Sequence, residues 1–214
     1  MKLDIEKMTL GPMGNNVYIL CDKHSGDAVV IDPSFNGQAV LALAKENSWT
    51  LRQIWLTHAH FDHIAGASQI ANAFDPPLPI GLHLEDKALY HREGGAGQFG
   101  FSIPQPPSVS IQFEDGMSLS LGQNQEPIVE VRHAPGHSPG HVMFYCSSFD
   151  ALFCGDVIFR EGIGRTDLPG GNFPTLMDSI RKAVLSLPDE TRLLPGHGPE
   201  STVGYERQYN PFLQ

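Results

Sequence analysis

An α/β fold containing two sheets is predicted by three features of the sequence. Short apolar runs alternate with segments of helical periodicity, the chain opens with several strands, and the alternation returns in its second half. Residues able to bind a metal follow strands in both halves. We therefore expect strands from both halves to bring these residues together at a site between two sheets.

The first half begins with two adjacent strands, predicted at 17–21 and 28–31 and separated by a turn that contains Gly26. The elements predicted to follow are a helix over 37–47, a buried strand over 53–56, a helix over 64–73 that begins at Asp62 or His63, a strand over 78–82 and a short helix over 85–90. The strand at 53–56 ends at a histidine-rich segment, so that segment is expected at a sheet edge.

Residues 92–108 interrupt this alternation because they are rich in glycine and proline, with Phe99 and Phe101 among them. They predict a long mobile loop, which either covers the site or is a surface insertion. The elements predicted for the second half are strands at 109–113, 117–121, 127–133, 141–146 and 151–154, a helix over 174–187 and a last strand at 191–194. Pro174 in the first turn and Pro188 after the end set the limits of that helix.

Composition restricts the class of protein. A chain of 214 residues is expected to form a single domain, 1–214. The apolar runs are too short to span a bilayer, and the acidic N-terminus does not resemble a signal peptide. A formal charge of −10 disfavours nucleic acid. Three widely spaced cysteines argue against a disulfide framework, so we expect a cytoplasmic protein. The expected partner is a small molecule.

The most informative segment is 57–63, with the sequence Thr-His-Ala-His-Phe-Asp-His. In an extended segment, side chains two positions apart point to the same side, so His58 and His60 can bind one ion. Asp62 and His63 can then face a second ion. Four residues of metal-binding types in this order are difficult to explain by packing alone.

Three further candidates lie downstream in glycine-rich turns: His137, Asp156 and His197. Each of these alone would be an ordinary surface or turn residue. Together with the histidine-rich segment they provide five imidazoles and two carboxylates, which suit a pair of divalent ions. His133 and His141, which flank His137, are expected to be supporting or strand residues, and the cysteines are expected to be small core residues.

Four motifs give the chain a family resemblance: 57–63, 135–141 (Pro-Gly-His-Ser-Pro-Gly-His), 155–159 (Gly-Asp-Val-Ile-Phe) and 194–199 (Leu-Pro-Gly-His-Gly-Pro). In sequence and spacing they resemble the metallo-β-lactamase fold superfamily. Within it, segments 162–171 and 204–212 make the chain similar to the hydroxyacylglutathione hydrolases, or glyoxalase II enzymes, of the small bacterial type that lacks the C-terminal helical domain. The resemblance covers nearly the whole chain.

This resemblance implies a four-layer αβ/βα sandwich, in which two mixed sheets face each other and helices cover both outer faces. It also divides the ligands into a first set of His58, His60 and His137, a second set of Asp62, His63 and His197, and a bridging Asp156. Two cations about 3.5–4 Å apart share a hydroxide that attacks a polarised carbonyl, and Asp62 is expected to orient it. Zinc is expected first, although imidazole and carboxylate ligands also suit iron and manganese.

The implied reaction is thioester hydrolysis, with S-lactoylglutathione as the expected substrate. Arg165 is a candidate contact for a substrate anion, or else pairs with Asp167. One alternative is a persulfide dioxygenase that uses a single iron held by His58, His137 and Asp156. Another is a different hydrolase of the same fold, such as a lactonase, a β-lactamase or a nuclease. The composition leaves the oligomeric state open.

Overall fold

The computed structural model describes residues 2–121 and 126–214, and these residues form two six-stranded mixed sheets. The strands of the first sheet, in spatial order, are β1 (Leu3–Leu10), β2 (Asn15–Asp22), β3 (Asp27–Ile31), β4 (Thr50–Trp55), β5 (Ile80–His83) and β6 (Ile111–Phe113). The first three strands are antiparallel, and β3 to β6 are parallel. The first sheet therefore follows chain order.

Helices and helical turns connect the parallel strands of the first sheet. They are α1 (Gly37–Glu46), α2 (Phe61–Ile64), α3 (Ala67–Ala71), α4 (Lys87–Tyr90) and 3-10 turns at Leu84–Asp86 and Glu93–Phe99. None of the helices in the described ranges combines the length and apolar character needed to cross a bilayer. The helix predicted over 37–47 is confirmed.

The second sheet has the order β14-β13-β10-β9-β8-β7. Its strands are β7 (Ser118–Ser120), β8 (Pro127–His133), β9 (Val142–Cys146), β10 (Ala151–Gly155), β13 (Arg192–Pro195) and β14 (Ser201–Thr202). Only β10 and β13 are parallel among its described pairs. The remaining elements are a hairpin of β11 (Ile158–Phe159) and β12 (Gly162–Ile163), a 3-10 turn (Ser147–Phe149), α5 (Phe173–Ser179), which continues as a π-helical turn (Ile180–Val184), and α6 (Val203–Tyr209).

Three apolar clusters separate four layers of structure. Successive residues of a strand point to opposite faces, so Ile19 of β2 packs under the first-half helices while Leu20 packs between the sheets. In β10, Phe153 lies between the sheets and Leu152 packs toward α5. Because both sheets are covered on both faces, the predicted αβ/βα sandwich is confirmed.

The prediction of one continuous helix over 64–73 is wrong. The chain forms α2 and α3 instead, and the two are separated near Gly66. A Cβ on Gly66 would overlap the carbonyl oxygen of Ser34, and the Gly66 amide donates to the carbonyl of Pro33 at 2.9 Å. This close approach ties the end of α2 to the loop after β3.

The prediction of a long mobile loop over 92–108 is also wrong for its first part. Residues 93–99 form helical turns, and Phe99 and Phe101 stack on Phe61 of α2 with ring centroids 5.3 and 5.2 Å away. Gly94 has a φ of +61°, and a Cβ there would overlap the backbone of Phe61. The segment is therefore packed against α2.

Five elements were not expected from the sequence: β1, β11, β12, β14 and α6. Three of them are two-residue strands, which are too short to show periodicity. The helix predicted over 174–187 is confirmed with an earlier end at Val184. Asn172 caps its N-terminus by accepting from the Thr175 amide at 2.9 Å.

Replacing Gly66 by alanine is expected to destabilise the protein by at least about 2 kcal/mol, because the added methyl group meets rigid backbone. Gly97→Ala is a suitable control, since a Cβ at that position meets no atom within 4 Å. Urea denaturation of both variants measures the effect. Equal stabilities for the two variants would contradict the role assigned to the close approach at Gly66.

Candidate metal centre

The predicted ligands come together at one edge of the two sheets. His58 and His60 follow the end of β4, and α2 then begins at Phe61. Asp156 and His197 follow the ends of β10 and β13, which are parallel and therefore end on the same side. His137 lies in the turn between β8 and β9. Strand ends from both halves of the chain thus meet, as the sequence predicts.

The first group consists of His58, His60 and His137, all buried. Nε2 of His137 lies 3.2 Å from Nε2 of His58 and 2.8 Å from Nδ1 of His60. Three unprotonated imidazole nitrogens facing one point can be ligands of a single cation. The structure therefore places the predicted first set together.

The second group consists of Asp62, His63 and His197. Oδ2 of Asp62 lies 3.2 Å from Nε2 of His197 and 3.8 Å from Nε2 of His63. Asp156 lies between the two groups: its Oδ2 is 3.7 Å from Nε2 of His137, and its Oδ1 is 3.4 Å from Nε2 of His63. This placement matches the bridging position implied for Asp156.

Two buried atoms at the centre of the cluster form no hydrogen bond with any described residue. They are Nε2 of His63 and Oδ1 of Asp156. A buried polar atom without a partner costs free energy, and a bound cation would satisfy both. The donor set is imidazole and carboxylate with no thiolate, which suits divalent ions such as zinc, iron or manganese. The cluster therefore fits a dinuclear metal site.

Four of the five imidazoles are held through Nδ1, with Nε2 facing the centre. The Nδ1 partners are Thr57 Oγ1 for His58 at 3.0 Å, Asp32 Oδ2 for His63 at 3.0 Å, the Arg165 carbonyl for His137 at 2.8 Å and the Met13 carbonyl for His197 at 3.2 Å. A proton on Nδ1 donates to each of these oxygens, so that Nε2 is the nitrogen available to a metal ion. Such contacts fix both the tautomer and the ring orientation of metal ligands.

Asp32 was not singled out from the sequence, although it organises the site. It is buried and has a φ of 51°, and its Oδ2 accepts from the Thr57 hydroxyl at 2.6 Å as well as from His63. Its Oδ1 accepts from the Thr57 amide at 2.7 Å. The signal that the sequence offers is an aspartate directly after a buried strand and before Pro33, a position that by itself indicates only the end of a strand.

Two further residues support the carboxylates. The side-chain amide of Asn15 donates to Oδ2 of Asp62 at 2.9 Å. Nε2 of His141 accepts from the backbone amide of Asp156 at 3.0 Å, and the His141 ring stacks on His58. His141 thus has the supporting position expected for it, whereas Asn15 was not expected.

The electrostatic environment separates the two groups of ligands. Burial lowers the pKa of His58, His60 and His137, and that of His60 falls to about 3. Burial also opposes charge on His63, but Asp156 and Asp62 outweigh it and raise the pKa of His63 well above its usual value. The pKa of His197 is raised as well, since the hydrogen bond with Asp62 overcomes its burial.

The two carboxylates at the centre stay ionised. Burial would raise the pKa of Asp156, but His63 and His137 hold it well below its usual range. The pKa of Asp62 is lowered against the same effect of burial by His63 and by the hydrogen bond from His197. Without metal, the two carboxylates therefore favour the positively charged form of both imidazoles of the second group.

The guanidinium of Arg165 is paired with Asp167, at 2.7 Å through Nε and 2.8 Å through a terminal nitrogen. Its carbonyl oxygen accepts the hydrogen bond from His137. The side chain thus adopts the second of the two roles considered for it, and its contact with a substrate anion stays a prediction.

Two mixed sheets enclosed by helices, with a histidine and carboxylate cluster at their common edge, define a metallo-hydrolase fold. The chain belongs to the metallo-beta-lactamase superfamily, whose model matches residues 10–197. It is similar to the hydroxyacylglutathione hydrolase GloC of Haemophilus influenzae, with 33% identity over 219 residues, 99% of this chain and 98% of GloC.

Two solved structures are similar over nearly the full chain. One is a B3 metallo-beta-lactamase, BLEG-1, with a TM-score of 0.90, 35% identity and coverage of 99% of this chain and 100% of that chain. The other is TTHA1623 in a di-iron-bound form, with a TM-score of 0.88, 41% identity and coverage of 97% and 100%. These similarities show the family and the fold.

Metal content is expected to fall from about two ions per chain at pH 8 to about one at pH 5. The raised pKa values of His63 and His197 mean that metal binding displaces protons there, so affinity falls as the pH falls. The first group, with lowered pKa values, stays unprotonated over this range. Elemental analysis after dialysis at each pH measures the content. Two ions retained at pH 5, or both lost together, would contradict the expected difference in pH dependence between the two groups of ligands.

Asp32→Asn is expected to weaken metal affinity about 10- to 100-fold, because an amide cannot accept from Thr57 and His63 as the carboxylate does. Competition with a chromophoric chelator measures the affinity. Asp167→Asn provides the control, since that carboxylate is exposed and contacts Arg165. An affinity equal to that of the control would show that Asp32 does not orient His63.

Proposed function

We propose that this protein is a metal-dependent thioester hydrolase and that S-lactoylglutathione is a substrate. The observation that carries the proposal is the complete seven-residue cluster, combined with similarity along the whole chain to a hydroxyacylglutathione hydrolase. Neither the cluster nor the similarity alone selects a substrate. The cluster supports hydrolysis, and GloC supports the thioester.

When bound, two divalent ions supply hydroxide at neutral pH and polarise the substrate carbonyl. Asp62 is the chain's own group for orienting the attacking water. Its Oδ2 is occupied by Asn15 and His197, whereas Oδ1 forms no hydrogen bond with any described residue. Because the pKa of Asp62 is lowered, its carboxylate is ionised, and Oδ1 can accept a hydrogen bond that orients this water.

Zinc is the metal we propose first, with iron or manganese as alternatives. Imidazole and carboxylate ligands accept all three metals, and the described cluster contains no cysteine that would favour zinc. The di-iron form of TTHA1623 supports iron as a working metal, since that protein is 41% identical to this chain.

We also propose that the protein is cytoplasmic and acts on a small molecule. Cys21, Cys146 and Cys154 are free and buried, which is typical of a reducing compartment. The net charge of −10 does not favour a polyanionic partner. Both statements rest on general chemistry and are tested by the substrate assay and by cell fractionation.

Opening of a β-lactam ring is the second candidate, because BLEG-1 is a metallo-beta-lactamase and is 35% identical to this chain. In this chain, β-lactam opening would use the same candidate ligand cluster and the same class of reaction, attack of water on a carbonyl. Lactone hydrolysis belongs to the same class. Persulfide oxidation on a single iron would need only His58, His137 and Asp156, and would leave the second group without a role.

The test is hydrolysis of S-lactoylglutathione by purified protein reconstituted separately with zinc, manganese and iron. We expect turnover that a chelator abolishes and the working metal restores. Asp62→Asn is expected to reduce kcat about 100-fold or more, because it removes the ionised oxygen that orients the water and weakens the second group of ligands, while the first group still holds metal. Asp167→Asn should keep the rate of the unmodified protein.

Absence of turnover with every metal would contradict the proposal. β-Lactam ring opening and oxygen uptake with glutathione persulfide, measured on the same preparations, would then identify which alternative applies. An unchanged kcat in metal-loaded Asp62→Asn would remove Asp62 from its catalytic role without affecting the assignment of the substrate.

A further inference from the structure

A cavity of about 490 Å³ opens beside the first group of ligands. His60 forms part of its wall, so the cavity is continuous with the candidate metal centre. Its other walls come from α4, from the helical turns of 93–99 and from residues 168–170. A substrate that reacts at the centre can therefore extend into this space.

The apolar part of the cavity wall is formed by Leu89, Phe99, Pro139, Leu168 and Pro169. A volume of this size falls in the range of small-molecule sites. A three-carbon acyl group would fill only a small part of it, whereas a peptide-sized thiol would occupy it well. With the reacting carbonyl at the metal centre, the larger part of the thioester matches the cavity better.

Arg92 is the only arginine or lysine among the described residues that line the cavity. Its Nε donates to the Ala88 carbonyl at 3.3 Å, and no carboxylate of a described residue pairs with it. Arg165, by contrast, is neutralised by Asp167. The terminal nitrogens of Arg92 are thus free to donate to a ligand.

The acidic surroundings of Arg92 make its guanidinium a distinctive contact for an anionic ligand. The protein carries a net charge of −10, and Glu85 also lines the cavity, with a carboxylate oxygen 3.9 Å from Nε2 of His133. An anionic ligand meets few favourable contacts in such a surface. A planar guanidinium with free nitrogens can bind a carboxylate in a bidentate manner.

We infer that this cavity binds the thiol carrier of the substrate and that Arg92 pairs with a carboxylate of that carrier. This inference rests on the proposed thioester hydrolysis and assigns the part of the substrate that is not transformed. It also assigns a residue for substrate selection that lies outside the ligand cluster. The carrier class is a peptide-like thiol with at least one carboxylate.

The experiment uses metal-loaded protein and two probes with a thioether in place of the thioester: S-propylglutathione and its diethyl ester, which lacks both carboxylate charges and is recovered intact after each titration. Calorimetry measures the affinity of each. We expect the acid to bind about tenfold more tightly than the ester, and Arg92→Gln to remove that preference by weakening only the acid. Arg92→Lys should retain part of the preference, because the charge remains.

Lys87→Gln is the matched control. It removes one positive charge at an exposed position of α4, five residues before Arg92, that does not line the cavity. Its preference for the acid is expected to equal that of the unmodified protein. If Lys87→Gln and Arg92→Gln lost the preference for the acid equally, net charge alone would explain the loss, and the inference would be overturned. Equal affinity of the unmodified protein for both probes, or failure to bind either, would also overturn it.

Hydrolysis assays on the same variants separate this inference from the proposed function. If S-lactoylglutathione is hydrolysed and Arg92→Gln leaves kcat/KM unchanged, the role of Arg92 is wrong and the hydrolase assignment stands. If no hydrolysis occurs but Arg92→Gln abolishes the carboxylate preference, the cavity assignment stands and the reaction is different.

Discussion

The carboxylate of Asp32 is the interaction on which the arrangement of the site depends. It receives three hydrogen bonds, two from Thr57 and one from His63, and so joins the end of β3 to the end of β4 and to α2. A buried carboxylate is costly unless it is fully hydrogen-bonded, so these donors have little freedom to move. Through Thr57 Oγ1 the same network also sets the orientation of His58.

The centre concentrates like-charged and buried groups that would be unfavourable in an ordinary core. Asp62 and Asp156 lie close together, and their charges raise the pKa values of the neighbouring His63 and His197 imidazoles, which favours a compensating positive charge when metal is absent. A divalent cation can replace the protons that carry this positive charge. The negative charges of the cluster are therefore compensated by protons without metal and by the cations with metal. The surrounding helices and sheets supply the apolar packing that keeps this polar centre in place.

The sequence allowed both sheets and most of the strands to be predicted, because alternating apolar residues record which face of a strand is buried. The ligand set was predictable because the histidine-rich segment and the turns follow strand ends. Asp32 and Asn15 could not be identified, since their roles arise from contacts between distant parts of the chain. The break near Gly66 was missed for the same reason: it depends on the carbonyl of Ser34 and not on local helix propensity. Arg92 is distinguished only by its lack of a described acidic partner, which no sequence pattern shows.

One aromatic stack joins the cavity to the ligands. Phe99 forms part of the cavity wall and stacks on Phe61, which directly precedes Asp62 in α2. The shape of the cavity and the position of α2 therefore depend on each other. A substitution that remodels the cavity at Phe99 also changes the support of the metal-binding helix. A change made at this wall to alter the shape of the cavity would therefore also affect the position of Asp62.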